Sequence, residues 1–458
     1  MMNISLLQKY NKPGPRYTSY PPATFFHDGV SAENYKTMVV QSNLQQPENI
    51  SLYLHVPFCK QLCHFCGCNT SCFPGNALIE QYMEAMAMEI SSVSELLDTS
   101  RPLTQIHWGG GTPNSIDLKH VEKIMNTLLR TFNPAPKAEI AMECNPAYLN
   151  PEHIDQLASM GFNRLSLGIQ DFNEEVLKLV NRKPSLYPVE KLISHMKSSG
   201  MEGVNMDLIY GLPGQTPASF KETIRKAIDV SPDRIVTFSY AHVPWVKSAQ
   251  KVLEDIGLPK VEDKLAMFET AYNLLTENGY IAIGMDHYAK PGDELTIAMK
   301  NKKLHRNFQG YCTRETTGQV YGFGATSISQ LQGGYYQNIK DTTKYIDSIN
   351  QTGFAIERGY ELTPEDTIRR TVINEIMCNG FLDFNDIAGD FGITTKELKT
   401  IVGYNKEKLK PYLEDGLLEI GKDHIRLKEN GFLVVRNIAM EFDPLLSQST
   451  NGQFSKTV

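Results

Sequence analysis

Cys59, Cys63 and Cys66 stand in the stretch HVPFCKQLCHFCGC at the spacing C-x3-C-x2-C. The thiolate form of cysteine binds metal. Three thiolates on one short loop can each hold one iron of a four-iron, four-sulfur cluster and leave the fourth iron without a protein ligand. An electron-transfer cluster takes four cysteines, whereas an open iron invites a small molecule to bind and react. A fourth cysteine, Cys68, follows closely. A structural zinc site would need a tetrahedral set, usually from paired C-x2-C or H-x3-H units, and Cys63, His64, Cys66 and Cys68 are too crowded for that pattern. A disulfide framework is disfavoured, because eight cysteines in 458 residues are sparse and Cys72, Cys144, Cys312 and Cys378 are isolated.

Other segments could serve such a cluster. GGGTP at 109–113 lacks the Lys-Ser/Thr partner of a phosphate loop. Its glycines either let a ligand approach the backbone or make a tight turn. Glu143, Gln170 and Asp207 end, or nearly end, apolar runs, where they would contact a ligand or cap the next helix. His107, on an apolar run, is expected to be a core histidine. LIYGLPGQT at 208–216 is expected only to turn the chain. MDHYA (285–289) and LHRNFQGY (304–311) concentrate His, Arg and aromatic groups, as a solvated loop or as a site for a flat anionic ligand.

These residues need a scaffold. From 51 to about 290, short apolar runs alternate with amphipathic stretches. The runs are SLYLHV (51–56), TQIHWGG (104–110), EIAMEC (139–144), RLSLGIQ (164–170), GVNMDLIYG (203–211), DRIVTFSYA (233–241) and YIAIGMD (280–286), with helical patterns at 77–98, 117–131, 151–160, 187–199, 217–229 and 262–278. Repeated strand–helix units predict an α/β fold with a parallel sheet, a full or partial barrel whose chemistry sits at the C-terminal ends of its strands. The cysteine loop follows the first of these strands. Residues 1–50 form an N-terminal extension, in which NKPGPRYTSYPPATFF is expected to be irregular. The division expected is 1–50, a barrel with its site loops over 51–340, and a mostly helical domain over 345–458 containing a small hairpin in GLLEIGKDHIRLKENG.

The net charge of −7 and the lack of a basic stretch argue against a nucleic-acid partner. No run of 18 apolar residues occurs, so no membrane association is expected. The N-terminus has neither a signal peptide's apolar core nor a transit peptide's Arg-rich character. A cytoplasmic location follows as an expectation, since thiols there stay reduced and a cluster can be assembled.

Together Cys59, Cys63, Cys66, the adjacent Phe65 and GGGTP resemble the radical S-adenosylmethionine (SAM) superfamily. With GPRYTSYP (14–21), MDHYA, LHRNFQGY and VRNIAMEFD (435–443), nearly the whole chain resembles the oxygen-independent coproporphyrinogen III oxidase family. A haem-binding chaperone and another tetrapyrrole-modifying radical SAM enzyme are the alternatives. The chaperone branch usually lacks the fourth cysteine and GPRYTSYP, and both are present here.

The resemblance implies a partial (β/α)6-type radical SAM barrel that decarboxylates two propionates of coproporphyrinogen III to vinyls. It implies a [4Fe-4S] cluster on Cys59, Cys63 and Cys66, and two SAM molecules. Tyr53, Gly110, Glu143 and Ile328 match positions contacting the SAM on the open iron; Phe65, Gly111, Thr112, Gln170, Arg182, Asp207 and Ala241 match positions around the second. Cys68 matches a family cysteine outside the ligand set, with a proton-donor or substrate-side role open. Arg16, His305 and Arg306 are candidates to clamp propionates. A reductant and an electron acceptor are required, and a monomer is expected.

Overall fold

The computed structural model describes residues 4–448 and 454–456. Six parallel strands carry the alternation seen in the sequence. They are β1 (Ile50–Val56), β2 (Pro102–Gly110), β3 (Asn133–Cys144), β4 (Arg164–Gln170), β5 (Gly203–Tyr210) and β6 (Arg234–Ser239), hydrogen-bonded in that order. Their inward and outward residues alternate, as in β4, where Leu165, Leu167 and Ile169 are buried. Helices Asn76–Ser94, Leu118–Thr131, Pro151–Ser159, Val189–Ser198, Pro217–Val230 and Val261–Glu277 cover the outside. Leu118–Thr131 shows why they do: Asp117 caps its start, and Leu118, Val121, Ile124, Met125 and Leu128 bury one stripe against the sheet. The architecture is therefore the α/β half-barrel expected.

YIAIGMD departs from expectation. Ile281–Gly284 (β7) and His287–Ala289 (β8) form an antiparallel hairpin, and it is β8 that pairs with β6, in antiparallel sense. A connection this short reverses the chain, whereas a parallel neighbour would need a long crossover. At the other edge a run not anticipated from the sequence, Gln319–Phe323 (β9), pairs parallel with β1. Ile328–Leu331 (β10), Gly334–Asn338 (β11) and Ile356–Glu361 (β12) follow as an antiparallel meander, giving a sheet of twelve strands.

From Pro364 the chain is helical, and a three-stranded antiparallel sheet of Phe381–Asp383, Leu418–Ile420 and His424–Leu427 contains the expected hairpin. The segment 11–22 has no helix or strand, whereas helices Ile4–Tyr10 and Ala32–Ser42 flank it. Its tyrosines anchor it: Tyr17 and Tyr20 donate to the two carboxylate oxygens of Asp443, at 3.0 and 3.1 Å. LIYGLPGQT does turn the chain, with Gln215 receiving the Leu212 N–H at 2.8 Å and donating to Asp171 and the Ile209 carbonyl. Among the described residues no helix is long and apolar enough to cross a membrane.

Candidate active site

The cysteine loop leaves β1 and crosses the C-terminal ends of the parallel strands. Its backbone is fastened at several points. The Ser71 and Phe73 N–H groups donate to Pro57 and Cys59 carbonyls, His64 N–H donates to Val180, and Asn181 donates to the Leu62 carbonyl while receiving Gln61. Thr112 Oγ1 donates to Cys59 Sγ at 3.3 Å, and Arg182 Nη1 to Cys63 Sγ at 3.5 Å. Burial pushes the Cys59 thiol up to about 11, the Thr112 hydroxyl opposing it, and the neighbouring Cys66 and Cys63 add to the rise. Hydrogen bonding between the Cys66 and Cys68 sulfurs holds Cys66 down at about 6 and raises Cys68.

This donor set fits an iron–sulfur cluster. The three thiols feel one another's charge. Among the described residues, however, no three His, Cys, Asp or Glu side chains converge on one point as a single ion requires. A cubane offers each thiolate a separate iron, and the hydrogen bonds from Thr112 and Arg182 stabilise charged sulfur.

GGGTP forms the wall beside the loop. Gly111 N–H donates to Val56 and Thr112 N–H to Phe58, at 2.7 and 3.0 Å, so the motif lies flat against the loop's stem. A side chain at Gly109 would place Cβ 2.8 Å from Glu143 Oε1, and one at Gly110, where φ is +112°, would strike the His55 ring at 2.7 Å. The glycines serve close approach and a turn together.

Tyr53, Gly110 and Glu143 are neighbours. Glu143 accepts from the Gly110 N–H at 3.2 Å and sits 3.2 Å from His107 Nε2, while the Tyr53 and His107 rings stack. His107 is partly buried, and Glu143 on the adjacent strand satisfies its imidazole. Ile328 joins this group because its backbone packs on Gly322, the β9 partner of Tyr53.

On the other side lie Gln170, Arg182 and Asp207. Gln170 ends β4 with φ at +69°, and its Oε1 is buried without a hydrogen bond. Arg182 also donates to the Gly168 carbonyl. Asp207 receives Ser166 Oγ at 3.0 Å, and burial, reinforced by Glu143, pushes its carboxyl up to about 7. Phe65 and Ala241 are tied together by Gln250, whose amide donates to both carbonyls at 3.0 and 3.3 Å. Thus Tyr53, Gly110, Glu143 and Ile328 are linked through β1 to β3 and β9, Gln170 and Asp207 lie on β4 and β5, and Phe65 and Ala241 are joined by Gln250.

Residues 53–227 match the radical SAM superfamily and residues 362–434 the HemN C-terminal domain. The oxygen-independent coproporphyrinogen III oxidase of Synechocystis sp. is 40% identical over 458 residues, covering 100% of this chain and 98% of that protein. The Escherichia coli enzyme of that name is 39% identical over 461 residues, with the same coverage. The solved structure of Escherichia coli coproporphyrinogen III oxidase (HemN), described as a radical SAM enzyme, superposes with a TM-score of 0.89 at 37% identity, covering 97% of this chain and 99% of that one. The chain belongs to the oxygen-independent coproporphyrinogen III oxidase family.

As a radical SAM member of this family it uses a [4Fe-4S] cluster and SAM. Reading this oxidase by sequence missed three residues that shape the site. His55 bridges the Tyr53 hydroxyl and the Asn69 carbonyl, each at 3.1 Å. Gln250 is 1% exposed and links the loop to Ala241, just past the end of β6. Lys247 Nζ donates to the Cys68 carbonyl at 2.6 Å. His55 lies in the quoted cysteine stretch and could have been found there; Lys247 and Gln250 bracket a short 3-10 turn, Ser248–Gln250, with no periodic pattern in the sequence.

Proposed function

We propose that Cys59, Cys63 and Cys66 each ligate one iron, that Tyr53, Gly110, Glu143 and Ile328 contact a SAM on the open iron, and that Phe65, Gly111, Thr112, Gln170, Arg182, Asp207 and Ala241 hold a second SAM. The chain is an oxidoreductase of haem biosynthesis that oxidises coproporphyrinogen III to protoporphyrinogen IX without oxygen. When bound, the reduced cluster and SAM supply the one-electron chemistry that begins removal of hydrogen from a substrate propionate.

The chain's own residues bind, orient and exclude. Gly109 and Gly110 leave space where side chains would stand, so a ligand can lie on the backbone beside Glu143. The carboxylate of Glu143 suits a SAM amino group, and the Gln170 Oε1 offers an unused acceptor. Each of the two reacting propionates loses carbon dioxide and becomes a vinyl group on the macrocycle, with one hydrogen atom and one electron passed on. A one-electron reductant and an electron acceptor therefore complete the reaction. The reading includes a cytoplasmic monomer, the three-part division at residues 50 and 340–345, and no nucleic-acid or membrane partner. Cys68 is exposed beside Cys66, which supports a proton-donor or substrate-side role.

The observation that carries the assignment is the placement of three thiols on a loop over the strand ends, against a glycine wall and two polar groups. The test is an anaerobic assay of reconstituted protein with SAM, reductant, coproporphyrinogen III and an acceptor, read by mass spectrometry. Protoporphyrinogen with a monovinyl intermediate is expected; SAM cleavage without porphyrin product would move the substrate elsewhere. Equilibrium dialysis against labelled SAM should give two molecules per chain, and one would remove the second-SAM reading.

A further inference from the structure

A cavity of about 380 Å³ opens at the ends of β5 and β6, lined on one side by Ala241 and so continuous with the proposed SAM groups. Its walls include Tyr210, Phe268 and Leu433, apolar surface suited to a macrocycle. Four cations line it: Arg16, Lys264, Arg436 and Lys456. They differ in what already engages them. Arg16 Nη2 pairs with Asp286 Oδ2 at 2.5 Å. Arg436 is buried and donates to the carbonyls of Gly14, Pro15 and Lys456, so its guanidinium fastens the N-terminal segment. Among the described residues neither Lys264 nor Lys456 forms an ion pair, but Lys456 is exposed, whereas the half-buried Lys264 ammonium donates to the Tyr240 carbonyl at 3.0 Å. A half-buried ammonium is costly without an anion, and the cavity's one carboxylate, Asp286, is already paired with Arg16. The stem is held in place by design of the turn below it. Gly211, at φ +87°, leaves room for it, and a Cβ there would come within 2.8 Å of Lys264 Cε.

We propose that Lys264 is the carboxylate-binding cation of the substrate cavity, pairing with one propionate of coproporphyrinogen III while the macrocycle rests on the apolar walls. This rests on the porphyrinogen reading above and adds to it a residue outside every motif the sequence offered. Burial pushes the Lys264 ammonium down to about 8, with Lys456 contributing, which a bound carboxylate would reverse. His305, one of the earlier clamp candidates, is half-buried on the Leu304–Asn307 strand and does not line this cavity.

The experiment uses reconstituted holoenzyme and Lys264→Gln, whose stem still lies over Gly211. Dissociation constants for coproporphyrinogen III and for its tetramethyl ester are read by anaerobic quenching of protein fluorescence. The wild type should prefer the acid. Lys264→Gln should lose on the order of ten- to a hundredfold for the acid, as expected for one charge-assisted hydrogen bond, and nothing for the ester. Lys264→Arg should recover most of the loss. Lys264→Met serves as a second variant with the same stem and should repeat the pattern. Unchanged acid affinity, or equal loss for acid and ester, would overturn the proposal. Wild-type turnover on the same preparation tests the parent reading separately: no vinyl product there would sink that reading, whatever the binding data show.

Discussion

The cysteine loop and the cation-lined rim sit over the same strand ends, yet they are built by different means. The loop is a continuous stretch clipped down by backbone hydrogen bonds, with Thr112 and Arg182 each donating to one of its sulfurs. The rim gathers side chains from residues 16, 264, 286 and 436, and at its centre charge holds Arg16 to Asp286. Asp286 shows how strongly. Burial alone would raise its carboxyl, yet Arg16 and His287 hold it far below the ordinary range. A cofactor whose geometry is fixed can be served by a compact motif. A flexible, multiply charged substrate is better met by groups from several segments.

The first way to break this comparison is at the loop. Cys59→Ala, Cys63→Ala or Cys66→Ala should each reduce SAM cleavage to background, read as 5′-deoxyadenosine after anaerobic reconstitution. Porphyrin turnover should vanish with it. A variant that keeps cleavage would show that its sulfur holds no iron.

The rim should fail differently. Arg16→Ala leaves Asp286 buried without its main cation, and about 1–3 kcal/mol of stability should go, less than for a fully buried pair because Arg16 is a third exposed. Asp286→Asn in the same chain should restore part of it, and chemical denaturation reads both. Coproporphyrinogen turnover should fall about tenfold, as for one lost charged contact, while SAM cleavage driven by a chemical reductant persists. Equal loss of both activities would erase the distinction between the two regions.

A gentler change sharpens the loop side. Thr112→Ala removes the hydroxyl that donates to Cys59 Sγ. Hydrogen bonds to cluster sulfurs raise the reduction potential, so the variant's midpoint should be more negative and its SAM cleavage severalfold slower. Thr112→Ser should restore both, and an unchanged potential would show that the hydroxyl serves only packing.

The same contrast explains what the sequence made legible. Strand and helix order could be read because apolar periodicity is written locally, and β1 to β6 follow it closely. The cysteine spacing was legible for the same reason. The direction of β8 and the addition of β9 were not, because pairing partners are chosen across long stretches of chain. The group that satisfies His107 was not legible either, since its partner, Glu143, lies on the next strand. Ile328, Gln250 and Lys247 meet the rest of the site only through the fold, and resemblance alone reached Ile328 and Ala241. Lys264 occupies an ordinary position on an amphipathic helix, and nothing in its neighbours in sequence marks the cavity it faces.

The smallest expected effect is at Asp207, between the two regions. Its carboxyl titrates near 3.9 in an unfolded chain and at about 7 in the fold, raised first by burial and then by Glu143. A raised acid favours folding only while protonated. Its stabilising contribution is complete below pH 4 and is lost as pH climbs through 7. Asp207→Asn cannot titrate, so the cluster-free protein carrying it should gain on wild type as pH rises from 4 to 8. The gain should be a few °C in Tm at most, because a chain of this length spreads each kcal/mol thinly. Glu143→Gln should shrink the same difference by removing the neighbouring charge. A Tm difference that stays flat across that range would mean the Asp207 carboxyl is solvated and ordinary. The second polar group would then lack the neutral acid that sets it apart from the rim, where the carboxylate of Asp286 stays charged.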